Sequence, residues 1–165
     1  MRIRTVKFNF IMNAILTVSS ILFPLITFPY ISRVLLVEGS GKVAFATSVV
    51  SYFTMFATLG IPTYGIRECA RVRDNKEELS RTVQELLIIS GITTAITYGV
   101  FFLLLFVVPQ FRGQKELLIV IGASIGLTTI GVQWFYSALE QYSYITVCAV
   151  LFKIIGLILM FLLVK

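Results

Sequence analysis

The chain of 165 residues contains no histidine. Imidazole metal ligands and imidazole general bases are therefore excluded. Cysteine is scarce: Cys69 lies in an expected charged loop and Cys148 at the start of an apolar run. Neither belongs to a CxxC pair, so no disulfide and no zinc site is expected. Charged residues make up 13% of the chain, where a soluble domain carries about a quarter. Acids are rarest, 8 against 14 Lys and Arg, for a formal charge of +6 and a pI near 9.6. What fills the space is apolar: 58% of residues are hydrophobic and the mean hydropathy is +0.94. One small soluble core cannot hide that much apolar surface. A nucleic-acid domain, a secreted disulfide scaffold and a cytosolic enzyme are excluded as first readings. An all-α, polytopic membrane bundle is expected, with no catalytic residue, metal or cofactor.

Five apolar runs stand at about 8–32, 43–66, 84–108, 117–139 and 145–164. At about 1.5 Å per residue each is long enough to cross a hydrocarbon core of ~30 Å. β-Barrel strands would be half as long and alternate in polarity. Short polar connections predict antiparallel neighbours in a single bundle over 1–165. The first run follows Arg2, Arg4 and Lys7, as in a signal peptide, but continues through Pro24 and Pro29 to Arg33. That length predicts an uncleaved span.

With the N-terminus inside, the cytoplasmic segments hold Arg2, Arg4, Lys7, Arg67, Arg71, Arg73, Lys76 and Arg81. The outer segments hold Arg33, Lys42, Arg112, Lys115 and Lys165. Eight against five places the N-terminus in the cytoplasm. Trp134, Phe135, Tyr136, Tyr142 and Tyr144 then fall at the inner interface, where amphipathic rings settle. The mixed-charge stretch 67–81 reads as a solvated, topology-setting segment or a short interfacial helix, with a surface for anionic headgroups as the functional alternative.

Polar residues within the runs recur at helical spacing. The first run carries Asn9, Asn13, Thr17, Ser20, Pro24 and Thr27; the second Thr47, Ser51, Thr54, Thr58 and Pro62. The third carries Ser90, Thr94 and Thr97; the fourth Gly122, Gly126, Thr129, Gln133, Ser137 and Glu140; the fifth Thr146, Ala149, Lys153 and Gly156. Steps of three and four put each set on one face. Two explanations compete. Small and hydroxyl residues let helices pack closely, and Gly122-Ala-Ser-Ile-Gly126 fits a GxxxG contact. Alternatively the faces line a wet cavity, with Asn13 and Gln133 among its polar groups. Packing accounts poorly for Lys153, which sits near the middle of its run. A lysine there costs roughly 2.5–3.5 kcal/mol, and no acid lies at mid-span to pair with it. A water-filled lumen that receives an anion answers this, with snorkelling or a partner elsewhere as the alternatives. Pro24 and Pro29 free backbone carbonyls and are candidate hinges, or tolerated kinks.

The segment Phe23-Pro-Leu-Ile-Thr-Phe-Pro-Tyr-Ile-Ser-Arg-Val-Leu35 is followed by Glu38-Gly-Ser-Gly41, Phe45-Ala46 and Ser51-Tyr-Phe53. Further on come Leu59-Gly-Ile-Pro-Thr-Tyr-Gly-Ile-Arg-Glu-Cys-Ala-Arg71 and Gln133-Trp-Phe-Tyr-Ser-Ala-Leu-Glu-Gln-Tyr-Ser-Tyr-Ile145, with Lys153 beyond. Together these resemble Wzx-type polysaccharide-biosynthesis flippases, relatives of the MATE multidrug exporters and lipid II flippases. Ser137 and Ala138 replace that family's Gln-Gly.

The resemblance implies part of the N-terminal lobe of a MATE-like transporter in a bacterial inner membrane. Its cargo would be a polyprenyl-diphosphate-linked oligosaccharide for O-antigen or capsule, among membrane lipids. Because such transporters oppose two bundles, the chain is expected to be a fragment or half, with a complementary half as partner. Lys153 would attract the diphosphate, Arg33 the headgroup near exit, and Arg67 and Arg71 the headgroup at entry. Interface anchoring is the plainer role for the three arginines. A cation-coupled multidrug exporter and a non-transporting structural subunit are the alternatives.

Overall fold

The computed structural model describes residues 6–163, so Arg2, Arg4 and Lys165 lie outside the described residues. The chain is all-α, with no strand among the described residues. Seven helices follow in order: α1 (Val6–Thr58), α2 (Ile61–Arg71), α3 (Lys76–Val107), α4 (Pro109–Arg112), α5 (Lys115–Ile130), α6 (Gln133–Ala138) and α7 (Tyr142–Leu163). Four stretches are long and apolar enough to cross a membrane: Lys7–Arg71, Lys76–Val107, Lys115–Ala138 and Tyr142–Leu162. The first of these holds both the first and the second expected runs. Large apolar side chains such as Phe10, Ile21, Phe106 and Phe152 stand mostly exposed along these helices. Water would penalise that surface and lipid does not. The protein is a multi-pass membrane protein.

Breaks in the helices fall at identifiable backbone positions. α1 is interrupted at Leu36, with φ 56° and ψ −174°, a region where non-glycine residues cost about 1–3 kcal/mol. Glu38 then lies in the first turn of the continuing helix, where the dipole favours an acid. The backbone stays helical through Pro24 and Pro29, so the break falls beyond both candidate hinges. The run expected at 43–66 is divided at Leu59-Gly60, where Gly60 takes a left-handed φ of 73° and Pro62 opens α2. The run expected at 117–139 is divided at Gly131-Val132. Pro62 and Gln133 therefore sit on new helices, not on continuations of the Thr47 and Gly122 faces. The third run starts earlier than hydropathy implies. Asn75 accepts hydrogen bonds from the Glu77 and Glu78 amides at 3.1 and 3.4 Å, and this cap carries the polar segment 76–83 into α3.

The charged stretch is only partly a loop. Arg67–Arg71 is helical and the turn is confined to 72–75. On α2 the residues Ile61, Gly65 and Cys69 are buried, at steps of four, while Arg67 and Arg71 face outward. Cys69 is fully buried beside Leu86, Trp134 and Ala138. It is a core residue and not a loop thiol.

The backbone divides into two compact units. One consists of the chain up to Ser40 together with Leu139 onward, that is, the first part of α1 and α7. These two helices run parallel. Thr146 donates to the Met12 carbonyl at 2.9 Å, Lys153 meets Ser19 and Ser20, and Tyr30 packs edge-on against Phe161 at 4.7 Å. The partners advance together along both helices. The other unit spans Gly41–Ala138. Its core joins Ala46, Val50 and Ala57 of α1 to Phe101, Leu105, Leu118 and Ile125 of α3 and α5.

In this second unit the polar faces are used for packing. Thr94 and Thr129 hydroxyls meet at 2.7 Å, and Thr93 donates to the Ala57 carbonyl at 2.7 Å. The Tyr98 hydroxyl donates to the Gly122 carbonyl at 3.0 Å and accepts from the Gly126 amide at 2.9 Å. The GxxxG pair admits aromatic rings of α3, as small interfacial residues do. A Cβ on Gly122 would lie 2.9 Å from the buried Phe101 ring, whereas one on Gly99 would meet nothing within 4 Å. Gly122→Ala should therefore lower stability by about 1–3 kcal/mol, and Gly99→Ala should raise it by up to about 1 kcal/mol. Thermal unfolding of the two variants in one detergent checks the opposite signs.

Candidate functional site

Lys153 is the twelfth of 22 residues in α7, about 16 Å from either end of the helix at the α-helical rise. Its Nζ donates to the Ser19 hydroxyl at 3.0 Å and to the Ser20 hydroxyl at 2.8 Å. Both hydroxyls in turn donate to the Leu16 carbonyl, each at 2.8 Å. The serine lone pairs are thus turned toward the ammonium. Two neutral oxygens solvate the charge without cancelling it, and the third N–H of the ammonium is unused within the described residues. Among the described residues the lysine pairs with no carboxylate, and it lies far from both helix ends. Pro24 lacks the amide that would bond the Ser20 carbonyl, leaving a further acceptor at the same residue.

The face of α1 that meets α7 is offset from the polar face expected to carry function. Asn9, Met12, Leu16, Ser19, Phe23, Thr27 and Tyr30 are buried or half-buried. Asn13, Thr17, Ser20 and Pro24 are exposed. Helix contact therefore leaves most of that polar face open, and Lys153 bridges the contact at Ser19 to the open face at Ser20. Asn13 lies about 10 Å along the helix from Ser20, and Arg33 about 20 Å beyond it in the other direction. Arg33 is exposed. The structure brings neither to Lys153.

The remaining sequence candidates lie in the second unit. Arg67 and Arg71 are exposed on α2, and Arg71 pairs with Glu68 at 2.8 Å. Such an exposed pair contributes little to stability. Gln133 opens α6. α2 and α6 are direct neighbours, joined where Trp134 lies flat over Gly65; a Cβ on that glycine would come within 2.6 Å of the indole.

Where the breaks at Leu59-Gly60 and Gly131-Val132 approach each other, a cavity of about 300 Å³ opens. Thr58, Ser90, Thr128, Thr129, Gln133 and Ser137 supply its polar wall, with Trp134 and Gly131 beside them and no charged residue. Gln133 was legible as a polar group in an apolar run. Ser90 was legible as part of the third run's polar face, whereas Ser19 was assigned no role by sequence, because a serine in a membrane helix is usually a packing residue. Gly60 ahead of Pro62, and Gly131 inside a run, were the available signals for the two breaks.

The pattern of the polysaccharide biosynthesis protein family matches residues 6–165. The chain belongs to that family. A relative in Escherichia coli (strain K12), named "Putative O-antigen transporter", is 22% identical over 146 residues. The match covers 88% of this chain and 35% of the relative, so the chain spans about a third of the relative's length. No solved structure matches the chain. Two of the segments that carry the family resemblance, 59–71 and 133–145, contain α2 and α6.

Substitution of Gly65 tests that arrangement. Gly65→Ala should push Trp134 off α2, destabilise the protein by about 1–3 kcal/mol and shift the emission of the chain's one tryptophan. Gly91→Ala, with nothing within 4 Å of the added carbon, should leave the emission unchanged.

Proposed function

We propose that this polysaccharide biosynthesis family member forms part of the translocation path of a flippase for polyprenyl-diphosphate-linked oligosaccharides. It would reside in a bacterial inner membrane with its N-terminus in the cytoplasm and cross the bilayer five times. The carrying observation is Lys153: a mid-helix ammonium held by two serine hydroxyls, with no carboxylate on it. Intramembrane cations of this kind are functional by default. Two hydroxyls compensate desolvation in part and leave a full positive charge for an incoming anion. A diphosphate supplies charge and acceptor oxygens together, and meets the amine as a compact point charge.

The open polar face Asn13–Thr17–Ser20 supports a hydrated route for the glycan, whose hydroxyls would otherwise be stripped of water in hydrocarbon. The polyprenyl tail stays in lipid. Parallel packing of α7 on the first part of α1 fits an odd number of spans between them, as five crossings require. Arg33 serves one end of the path and Arg67 and Arg71 the other. Leu36 joins Pro24 and Pro29 as a candidate bend, since its backbone already departs from the helix. The O-antigen wording of the relative's name supports the substrate class. A complementary bundle completes alternating access, in which one bundle rocks against another.

Two measurements check this reading. In vesicles containing the full protein, Lys153→Ala should slow translocation of a fluorescent polyprenyl-diphosphate glycan by about tenfold or more, the scale of a lost charged hydrogen bond. Lys153→Arg should retain an intermediate rate. Full rates in both variants would remove Lys153 from the mechanism. On a Cys148→Ala background, Thr17→Cys should react with a membrane-impermeant maleimide while Val18→Cys, one position round the helix, stays protected. Equal protection at both positions would mark the polar face as dry.

A further inference from the structure

We infer that the cavity between the two helix breaks of the second unit seats one uncharged sugar ring of the headgroup, on a wall that offers hydrogen-bond acceptors. This rests on the reading of the protein as a glycan translocator and adds a subsite separate from Lys153.

The chemistry of the wall follows from where its protons go. Thr58 donates to the Thr54 carbonyl at 3.0 Å, Thr128 to Ser124 at 2.7 Å, Thr129 to Ile125 at 3.1 Å and Ser137 to Gln133 at 3.1 Å. Each hydroxyl has spent its one proton on its own helix and can present only lone pairs to the cavity. Ser90 is different. It is 7% exposed, lines the cavity, and its hydroxyl makes no hydrogen bond among the described residues. Its oxygen is not sealed off, so the hydroxyl stands open to the cavity. Trp134 is also 7% exposed, and its indole N–H is likewise unpartnered among the described residues. The free groups are thus one hydroxyl, one indole donor and the Gln133 amide, set among four acceptor oxygens.

Hydroxyl-rich, neutral ligands match this set. A sugar's O–H groups donate to the threonine and serine lone pairs, its oxygens accept from the indole and amide, and its C–H faces lie against Ile61, Pro62 and the indole. The cavity volume is at the lower end for small-molecule sites and suits one ring, not a chain. A phosphate or uronate is disfavoured, because no cation lines the wall and the acceptor oxygens repel anions. A bare metal ion is disfavoured too, since no carboxylate lines the cavity.

Trp134 provides the readout, since it is the chain's one tryptophan. The full chain in nanodiscs is titrated with glucose, N-acetylglucosamine and glucuronate while tryptophan emission is followed. At least one neutral sugar should give a saturable change, glucuronate should give none, and Ser90→Ala and Thr128→Val should each weaken the response about tenfold. No saturable response to either neutral sugar overturns the inference. So does an equal response to glucuronate, an unchanged affinity in both variants, or the same spectral change on replacing choline by sodium without sugar. The two readings fail separately. Lys153-dependent translocation without a sugar response sinks only the cavity, whereas a sugar response with translocation indifferent to Lys153 sinks only the diphosphate path.

Discussion

Hydrocarbon offers no partner to a peptide N–H or C=O, and this constraint organises the whole chain. It makes every long element a helix. It also explains the hydroxyls. Many threonines and serines on the apolar helices donate to the carbonyl four residues back, as Thr17, Thr27, Ser48, Ser51 and Thr97 do. A hydroxyl so engaged is satisfied without leaving its helix, and keeps lone pairs for a neighbour. The same device that makes serine tolerable in lipid makes Ser19 and Ser20 acceptors for Lys153.

The constraint also decides where a helix can stop inside the bilayer. Freed carbonyls and amides need side chains or water. The end of α1 at Thr58 has the Thr93 hydroxyl on the Ala57 carbonyl, and the following amides of Thr63 and Tyr64 fold back onto the Gly60 carbonyl. At Gly131 the amide still reaches the Leu127 carbonyl. Both breaks open beside the polar cavity. Irregular backbone at membrane depth is tolerated where it lines such a space, so the family segments around 59–71 and 133–145 combine a break with a polar wall.

Hydropathy made the membrane class and the apolar runs legible, because run length and composition respond to bilayer thickness directly. It did not reveal the breaks at Leu36, Gly60 and Gly131. A window average is blind to backbone angle, and Leu36 is a leucine in a position where glycine would be expected. Helical spacing found the Asn13–Thr17–Ser20 face and Lys153. It could not tell an open face from a packed one, since both are written in the same small and hydroxyl residues. The contacts separate these residues: Thr94 and Gly122 are engaged across helices, Thr58, Ser90 and Thr129 line the cavity, and Asn13, Thr17 and Ser20 remain exposed. Ser19 was missed because it sits 100° round the helix from that face, a displacement that only the position of α7 makes meaningful.

The exposed face bears on how a lysine is accommodated in a membrane helix. Had Lys153 met a carboxylate, the pair would have been neutral, and breaking it would strand two charges. Two hydroxyls anchored on one carbonyl avoid that. They lower the cost of holding the ammonium, give no competing anion to displace, and fix the amine at the edge of an open polar face. An anion arriving along that face would meet the third donor without first breaking an ion pair, and the two hydroxyls would go on solvating the amine once it left.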